Sequence, residues 1–325
     1  MDVLVTGGCG YIGSALIPML QADDAVESVT ILDSLNSGSP RALLGALSPV
    51  DGNEGESEDD DRAAVDFRRG DVREYGDVEN AMREVDTVIH LAAITGAAST
   101  HDRRDETFAV NYDGFENVLK AAGKFGVDNV VFASSCNIYG RATSMDIDES
   151  VDPDPINPYA EAKYEAESLL REYCEDHDMQ GTALRMSTNF GYSPGVRFNL
   201  VVNYFVFRAL TGRALTVYGD GSNWRPFIHV EDAARAYKSA ALDPDAWTNA
   251  VYNVGSNDGN YQISEIAEVV REEVGPVDIT YLEDEHPGPS YHVDFSRLGE
   301  TGFETEWTLR EGVRDLAARF TNRRP

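Results

Sequence analysis

Short apolar runs alternate, along the first half of the chain, with segments in which apolar side chains recur every three or four residues. The runs lie at 3–5, 29–32, 87–91, 129–133 and 181–185, and the clearest helical segments at 115–124 and 159–175. Short buried runs are typical of strands, and the longer period is typical of amphipathic helices. The alternation predicts an α/β fold: a doubly wound parallel sheet with helices on both faces.

The length of the chain predicts two parts, because 325 residues are more than one hydrophobic core usually organises. We predict a first domain over 1–185, to which the chain returns at about 215–255, and a smaller C-terminal α/β lobe over most of 186–325. That lobe should hold helices at 264–274 and 309–320, the second begun by a capping box of Thr308 and Glu311. An acidic stretch at about 45–64 interrupts the first domain and predicts a solvated surface insertion.

The charge balance narrows the class of protein. The chain has 57 acidic residues against 27 lysines and arginines, a net charge of −30, which disfavours nucleic acid and anionic lipid as partners. Only four of the cations are lysines. An acidic, lysine-poor composition is typical of a cytoplasmic protein from a high-salt cell.

The remaining composition points to the same compartment. Three cysteines, Cys9, Cys136 and Cys174, are too few and too scattered for a disulfide framework or a metal site. No basic stretch followed by an apolar leader opens the chain, and no run of about 18 apolar residues occurs. We therefore expect a cytoplasmic protein without a membrane span or a bound metal.

Three glycines mark the turn from the first strand into the first helix. Gly7, Gly10 and Gly13 lie in the segment Thr6–Gly13, which also contains Tyr11 and Ile12. Backbone N–H groups at such a turn bind a pyrophosphate, and a Cβ atom would hold the phosphate away. This position predicts a Rossmann-type dinucleotide site.

An acid follows the second strand at the distance expected for ribose recognition. Asp33 lies 20 residues after Gly13. A carboxylate there accepts hydrogen bonds from both ribose hydroxyls and repels a 2′-phosphate, which favours NAD over NADP. Arg41 is the nearest cation that could receive such a phosphate and keeps NADP open. Asp71 could reach the adenine or could be a turn residue.

Tyr159 and Lys163 are spaced to lie on one face of a helix. An ammonium one turn away favours the phenolate and would let the tyrosine accept a proton from an alcohol. Ser135 follows a central strand, at the sheet edge where parallel folds bind ligands. A serine hydroxyl and a tyrosinate could hold the same substrate oxygen beside a nicotinamide.

With these segments, the chain resembles the extended short-chain dehydrogenases/reductases, in the branch of nucleotide-sugar epimerases and dehydratases similar to UDP-glucose 4-epimerase. Further matching motifs are His90–Ala93, Asn111–Gly114, Arg185–Gly191 and Val217–Asp232. The resemblance implies a catalytic triad of Ser135, Tyr159 and Lys163. It also implies NAD as cofactor, a nucleotide-diphosphate sugar as substrate, bound mainly by the C-terminal lobe, and a homodimer.

The resemblance assigns binding roles to further residues. Cofactor contacts are expected from Gly7, Gly10, Tyr11, Ile12, Gly13, Asp33, Asn36, Asp71, Val72, Leu91, Ala92, Ala93, Asn111, Tyr159 and Lys163. Substrate contacts are expected from Ser135, Asn137, Asn189, Arg213, Arg225 and Tyr291, with Arg225 on the diphosphate. Many similar epimerases carry a second arginine where this chain has His286. Either His286 gives a weaker, pH-dependent grip or another arginine, such as Arg213, replaces it.

The residues after Ser135 bear on the reaction. The similar 4,6-dehydratases have an Asp-Glu pair where this chain has Cys136 and Asn137, and an amide cannot exchange a proton. The Cys136 thiol could shuttle a proton or could be a small packed residue. We therefore expect 4-epimerisation through a transient 4-keto sugar. A nucleotide-sugar oxidoreductase, a 4,6-dehydratase and a non-catalytic NAD-binding sensor remain the alternatives.

Overall fold

The computed structural model describes residues 1–44, 46, 62–96, 98–141, 145–282 and 288–321. The strands are β1 (Asp2–Thr6), β2 (Ser28–Asp33), β3 (Ala64–Arg69), β4 (Thr87–His90), β5 (Asn129–Ser135), β6 (Gln180–Met186), β7 (Thr188–Phe190), β8 (Leu215–Tyr218), β9 (Trp224–His229), β10 (Val251–Val254), β11 (Asn260–Gln262) and β12 (Ile279–Leu282). The helices are α1 (Gly13–Gln21), α2 (Tyr75–Ala81), α3 (Arg104–Phe108), α4 (Gly114–Phe125), α5 (Pro158–Asp176), α6 (Val201–Leu210), α7 (Val230–Leu242), α8 (Ile263–Val274) and α9 (Leu309–Thr321). Most of the predicted acidic insertion lies outside the described residues.

Seven parallel strands form the main sheet, in the order β10-β6-β5-β4-β1-β2-β3. Successive residues of a strand face opposite sides, so Val3 and Val5 pack in one hydrophobic core and Leu4 packs in the other. Helices α1 and α7 cover the first core, and α2, α4 and α5 cover the second. The predicted doubly wound Rossmann-type fold is confirmed. Its strand order reverses between β1 and β4, which is where such sheets bind ligands.

The C-terminal lobe is built on two small sheets, one of β11, β9 and β7 and one of β12 and β8. Helices α6, α8 and α9 pack with these strands around a third core. The chain returns to the first domain at α7, which packs on α1, and at β10, which pairs with β6. This return begins later than about residue 215, because β8 and β9 belong to the small sheets.

The predicted capping box of α9 is present: the Thr308 backbone N–H donates to Glu311, and the Glu311 backbone N–H donates to Thr308 Oγ1. Among the described residues, no helix is both long and apolar enough to cross a membrane.

Candidate active site

The turn between β1 and α1 requires glycine because its backbone packs against itself and against the next loop. Gly7 has a φ of +73°, and a Cβ atom there would lie 2.7 Å from the backbone nitrogen of Ala92. A Cβ atom on Gly13 would lie 2.4 Å from the carbonyl oxygen of Gly8. Neither contact is possible, so both positions keep the bare backbone that a bound pyrophosphate needs.

A cleft of about 1220 Å³ opens above this turn, at the carboxyl ends of the central strands. It is large enough for a dinucleotide together with a second ligand. The sequence-predicted residues that line it are Gly7, Gly10, Tyr11, Ile12, Gly13, Asp33, Asn36, Asp71, Val72, Leu91, Ala92, Ala93, Ser135, Asn137, Tyr159, Lys163 and Asn189. The fold therefore brings both halves of the predicted site into one cavity.

Asp33 is held at the rim of the cleft by the backbone. One carboxylate oxygen accepts the N–H of Cys9 at 2.9 Å, and the other accepts the N–H of Leu35 at 2.8 Å. The side chain is buried, and each oxygen retains a lone pair for a ribose hydroxyl. The geometry fits the predicted recognition of an unphosphorylated ribose.

Asp71 also lines the cleft, but its carboxylate is already engaged. It accepts the backbone N–H of Arg73 at 3.0 Å and forms an ion pair with the same guanidinium at 2.7 Å. This pairing holds the pKa of Asp71 below its usual range. The contacts of Asp71 are therefore those of a turn residue, which is one of the two interpretations of this position.

Tyr159 lies in the first turn of α5, where the Asn157 side chain accepts the N–H of Ala160 and caps the helix. The side chain of Ser135, at the end of β5, lies close enough to the Tyr159 hydroxyl to oppose the rise in its pKa. Lys163 follows one turn later and is 1% exposed. The structure thus assembles the three predicted catalytic side chains.

The Lys163 ammonium lacks a hydrogen-bond partner among the described residues, although its Nζ atom lies 4.6 Å from the centre of the Phe132 ring. Buried polar groups are almost always satisfied, so an orphaned ammonium in a cleft fits a site whose ligand supplies the acceptor. A ribose hydroxyl of a dinucleotide is such an acceptor.

The electrostatics of the pair differ from the expectation. Burial lowers the pKa of Lys163 to about 7, so the amine is a weaker source of positive charge than an exposed lysine. Burial also raises the pKa of Tyr159, and the groups that oppose this rise are Ser135 and Arg197. The role of Lys163 in favouring the phenolate stays a prediction.

Arg197 is a cleft residue that the sequence did not reveal. It lies between β7 and α6, and its Nη1 atom donates to Thr95 Oγ1 at 2.5 Å. Its carbonyl oxygen accepts from Asn203, whose amide also donates to the Tyr11 hydroxyl. The loop carries glycine and proline and no periodic pattern, so only these long-range contacts place the guanidinium near Tyr159.

Four predicted binding residues, Asn111, Arg213, Arg225 and Tyr291, do not line the cleft. Asn111 is fully buried, and its amide pairs with both the N–H and the carbonyl of Ile94. It therefore supports the cleft wall instead of contacting a ligand. Arg213 is exposed in the turn after α6.

Arg225 and Tyr291 are linked to the cleft through a neighbour. Tyr291 is buried, and the groups that lower the pKa of its hydroxyl are Arg225 and Asn137, of which Asn137 lines the cleft. The Arg225 guanidinium lies 4.7 Å from the centre of the Tyr291 ring. His286 lies outside the described residues. Among those residues, no group of three or more side chains could hold a metal ion.

Comparisons with known proteins agree with this arrangement. A family model described as the NAD dependent epimerase/dehydratase family matches residues 3–255. The chain is 31% identical over 319 residues, 96% of each chain, to the low-salt glycan biosynthesis protein Agl12 of Haloferax volcanii. It is 30% identical to a dTDP-glucose 4,6-dehydratase of Actinoplanes, over 98% of this chain and 97% of that one.

A solved structure of UDP-glucose 4-epimerase from Thermus thermophilus in complex with NAD superposes with a TM-score of 0.80. The two chains are 27% identical, and the match covers 98% of this chain and 99% of that one. The chain therefore belongs to the NAD-dependent epimerase/dehydratase family, and the prediction of NAD as its cofactor is confirmed.

Proposed function

We propose that this enzyme inverts C4 of a nucleotide-diphosphate sugar through a transient 4-keto sugar. The observation that carries the proposal is the pairing of Ser135 with Tyr159 in a cleft that offers no free carboxylate among its described residues. Such a site can exchange the proton of one alcohol, but among its described residues it has no free carboxylate to act as acid and base in the removal of water.

The carboxylates of the cleft support this reading. Among the described lining residues they are Asp33, Asp71 and Glu106. Asp33 accepts two backbone N–H groups, Asp71 is paired with Arg73, and Glu106 with Arg103. Each carboxylate is thus occupied by a structural partner.

The two residues that replace the dehydratases' Asp-Glu pair are also unsuited to elimination. The Cys136 thiol is buried and donates to the carbonyl oxygen of Arg185 at 3.0 Å. Burial raises its pKa to about 12, so a thiolate is rare near neutrality. The Asn137 amide accepts from Asn157 and contacts Tyr291. These contacts favour the small packed role for Cys136.

The roles of the side chains follow from their positions. Bound NAD supplies the acceptor and donor of the C4 hydride. Tyr159 accepts the proton of the C4 hydroxyl and later returns it, while the Ser135 hydroxyl holds the same oxygen in place. Arg197 favours the phenolate form of Tyr159, which is the form that can accept this proton. The width of the cleft gives the keto sugar room to turn.

A diphosphate is supported by Arg225. Its Nη1 atom is buried without a hydrogen-bond partner among the described residues. Guanidinium groups bind phosphate oxygens well, and a protein with a net charge of −30 needs selected cations to hold an anionic substrate. Arg225 therefore remains the proposed diphosphate contact.

The test is incubation of the purified enzyme and NAD with UDP-glucose, UDP-galactose and their N-acetylated and uronic forms, followed by NMR and mass spectrometry of the products. An epimerase yields the C4 epimer, with unchanged mass and without net formation of NADH. A dehydratase product would have lost water, and a dehydrogenase would accumulate NADH. Either outcome, or no conversion of any of these sugars, overturns the proposal.

A further inference from the structure

Glu167 lies one helical turn beyond Lys163 on α5, and the proposed chemistry does not use it. Its side chain is 7% exposed, unusually buried for a carboxylate. One oxygen accepts from Ser134 Oγ at 2.5 Å, and the other accepts from Arg185 Nη2 at 2.8 Å. This single carboxylate therefore has partners on two different strands.

Those partners lie directly beside the catalytic residues. Ser134 precedes Ser135 on β5, and Arg185 lies on the neighbouring strand β6. Helix α5 carries Tyr159 and Lys163. The Glu167 carboxylate thus connects the helix that bears two members of the triad to the strand that bears the third.

The guanidinium of Arg185, which pairs with Glu167, is also held in place by other side chains. Arg185 Nη1 donates to the Tyr139 hydroxyl at 2.9 Å, and that hydroxyl donates to Asn253 Oδ1 at 2.7 Å. Tyr139 follows β5 and Asn253 lies on β10. The carboxylate is therefore held rigidly, as a positioning residue must be.

The surroundings of Lys163 contain few charges. From β4, His90 faces it, and burial keeps the pKa of this imidazole well below its usual value, so His90 is neutral. Phe132 faces it from β5. On α5 itself its neighbours are Tyr159 and Glu167, and the Glu167 carboxylate raises the pKa of the amine against the effect of burial. Arg185, on β6, is ion-paired to that carboxylate.

We propose that Glu167 is a positioning residue for the catalytic triad: its carboxylate fixes α5 against β5 and places a negative charge one helical turn from Lys163. The inference rests on the proposed function in that it gives Lys163 a part in the reaction. The hydrogen bonds of Glu167 with Ser134 and Arg185 do not depend on which sugar reaction takes place.

The chain offers a direct way to measure the charge of Lys163, because it contains only four lysines. In the full-length protein labelled with ¹³C at lysine Cε, the four resonances can be followed by NMR from about pH 5.5 to about pH 10. This range runs from below neutral pH to roughly the ordinary pKa of lysine. Loss of one peak in Lys163→Met assigns Lys163. Lys120 and Lys124, whose pKa values are raised by Glu116 and Glu79, serve as internal references.

Glu167→Gln should move the midpoint of Lys163 down by about one pH unit or more, because the amide keeps the shape and removes the charge. Ser134→Ala removes a hydrogen bond to the carboxylate and keeps its charge, so the midpoint should stay near that of the wild type. If Glu167→Gln does not fold, Glu167→Gln combined with Arg185→Gln removes both charges of the ion pair and should move the midpoint in the same direction by a smaller amount, because no unpaired guanidinium remains.

In the active enzyme, Glu167→Gln should lower kcat by about tenfold or more and change KM little, because the triad is misplaced while the binding contacts remain. A Lys163 midpoint that is the same in the wild type and in the folded Gln variants overturns the proposal. The titration needs no substrate, so failure of the epimerase assay would leave its result intact.

Discussion

At the scale of single residues, the proposed function makes turnover depend on the phenol of Tyr159. Tyr159→Phe removes one oxygen from the cleft and leaves the ring in place. We expect kcat to fall by about a hundredfold or more, the range for loss of a general acid-base group, with NAD affinity nearly unchanged. Product formation and calorimetric titration of NAD measure the two quantities.

Tyr164→Phe is the matched control, since Tyr164 lies on the same helix but packs in a different cluster, with Tyr139 and Ile147. It should retain turnover. Full activity in Tyr159→Phe would remove Tyr159 from the mechanism.

We expect Asp33 to determine the preference for NAD over NADP. Asp33→Asn removes the charge that repels a 2′-phosphate, so the ratio of NAD to NADP affinity should fall by about tenfold or more. The ratio is the quantity to measure, because the amide also weakens the contacts with Cys9 and Leu35 that shape the site for both cofactors. Asp66→Asn, at an exposed carboxylate on β3, should keep the wild-type ratio. An unchanged ratio in Asp33→Asn would assign the discrimination to another group.

The sequence was informative where a local repeat fixes the geometry. Tyr159 and Lys163 are one helical turn apart, so their shared face follows from spacing alone. The burial of Lys163 depends on Phe132, which is distant in the chain, and could not be predicted. Arg197 was missed for the same reason, because Thr95 lies 102 residues away in sequence.

At the scale of elements, the turn between β1 and α1 has no space for a side chain on Gly13. Gly13→Ala would place a Cβ atom 2.4 Å from the carbonyl oxygen of Gly8, and backbone on both sides leaves little room to adjust. We expect the affinity for NAD to fall by about tenfold or more, measured by calorimetry. Gly299→Ala is the control, because a Cβ atom there meets nothing within 4 Å. Equal affinities of the two variants for NAD would contradict this steric requirement for glycine at position 13.

His229 joins the small sheet to the segment before α9. It is 1% exposed, and its ring stacks on Trp307 with centroids 4.1 Å apart. Its Nδ1 atom accepts the N–H of Glu231, which requires an unprotonated nitrogen. Burial lowers the pKa of His229 from 6.5 to about 4. The unfolded chain therefore binds this proton at a higher pH than the native protein does, and stability is lost as the pH falls from 6.5 toward 4.

When the pH is lowered from 7 to 5, protonation of this imidazole in the unfolded chain should decrease the free energy of unfolding by about 2 kcal/mol. Urea unfolding of His229→Gln should show a pH dependence that is flatter by that amount. His177→Gln, at an exposed site, should follow the wild type. A wild-type slope in His229→Gln would show that the native ring titrates normally.

Five strands of the first domain, β1, β2, β4, β5 and β6, could be predicted because each is largely buried and contains a short apolar run. The edge strand β3 was not predicted, because it contains Asp66, Arg68 and Arg69 and has no buried residue. The strands of the smaller lobe were not predicted. β7 and β11 have three residues each, and β9 contains a tryptophan, an arginine and a proline. Such strands depend on partners that are distant in sequence, as β11 depends on β9.

At the scale of the whole molecule, the two lobes are connected at the dinucleotide turn. The Tyr11 hydroxyl donates to the carbonyl of Gly191, and Ser14 bonds to Ser193. These bonds link the loop that carries Arg197 to the turn between β1 and α1. The prediction of two separate parts did not include this connection, since hydrogen bonds across about 180 residues leave no local pattern.

The net charge of −30 determines how the fold responds to salt, through two opposing effects. Salt weakens ion pairs such as that of Arg314 with Glu273, but exposed pairs contribute about 0–1 kcal/mol each. Salt also shortens the screening length from about 10 Å at 0.1 M to about 3 Å at 1 M, which relieves repulsion among the many unpaired acids. Because acids outnumber cations about two to one, relief of repulsion should dominate and Tm should rise over this range of KCl.

Calorimetry at several KCl concentrations measures the rise. The exposed acids Glu172, Glu175 and Asp176 lie together at the end of α5, and their replacement by Gln, Gln and Asn reduces the net charge at one place. That triple variant should be more stable than the wild type at 0.1 M KCl and should gain less from added salt, since less repulsion remains to be screened. A Tm that is flat or falls with salt in the wild type would mean that the ion pairs, and not the excess charge, control the stability of this fold.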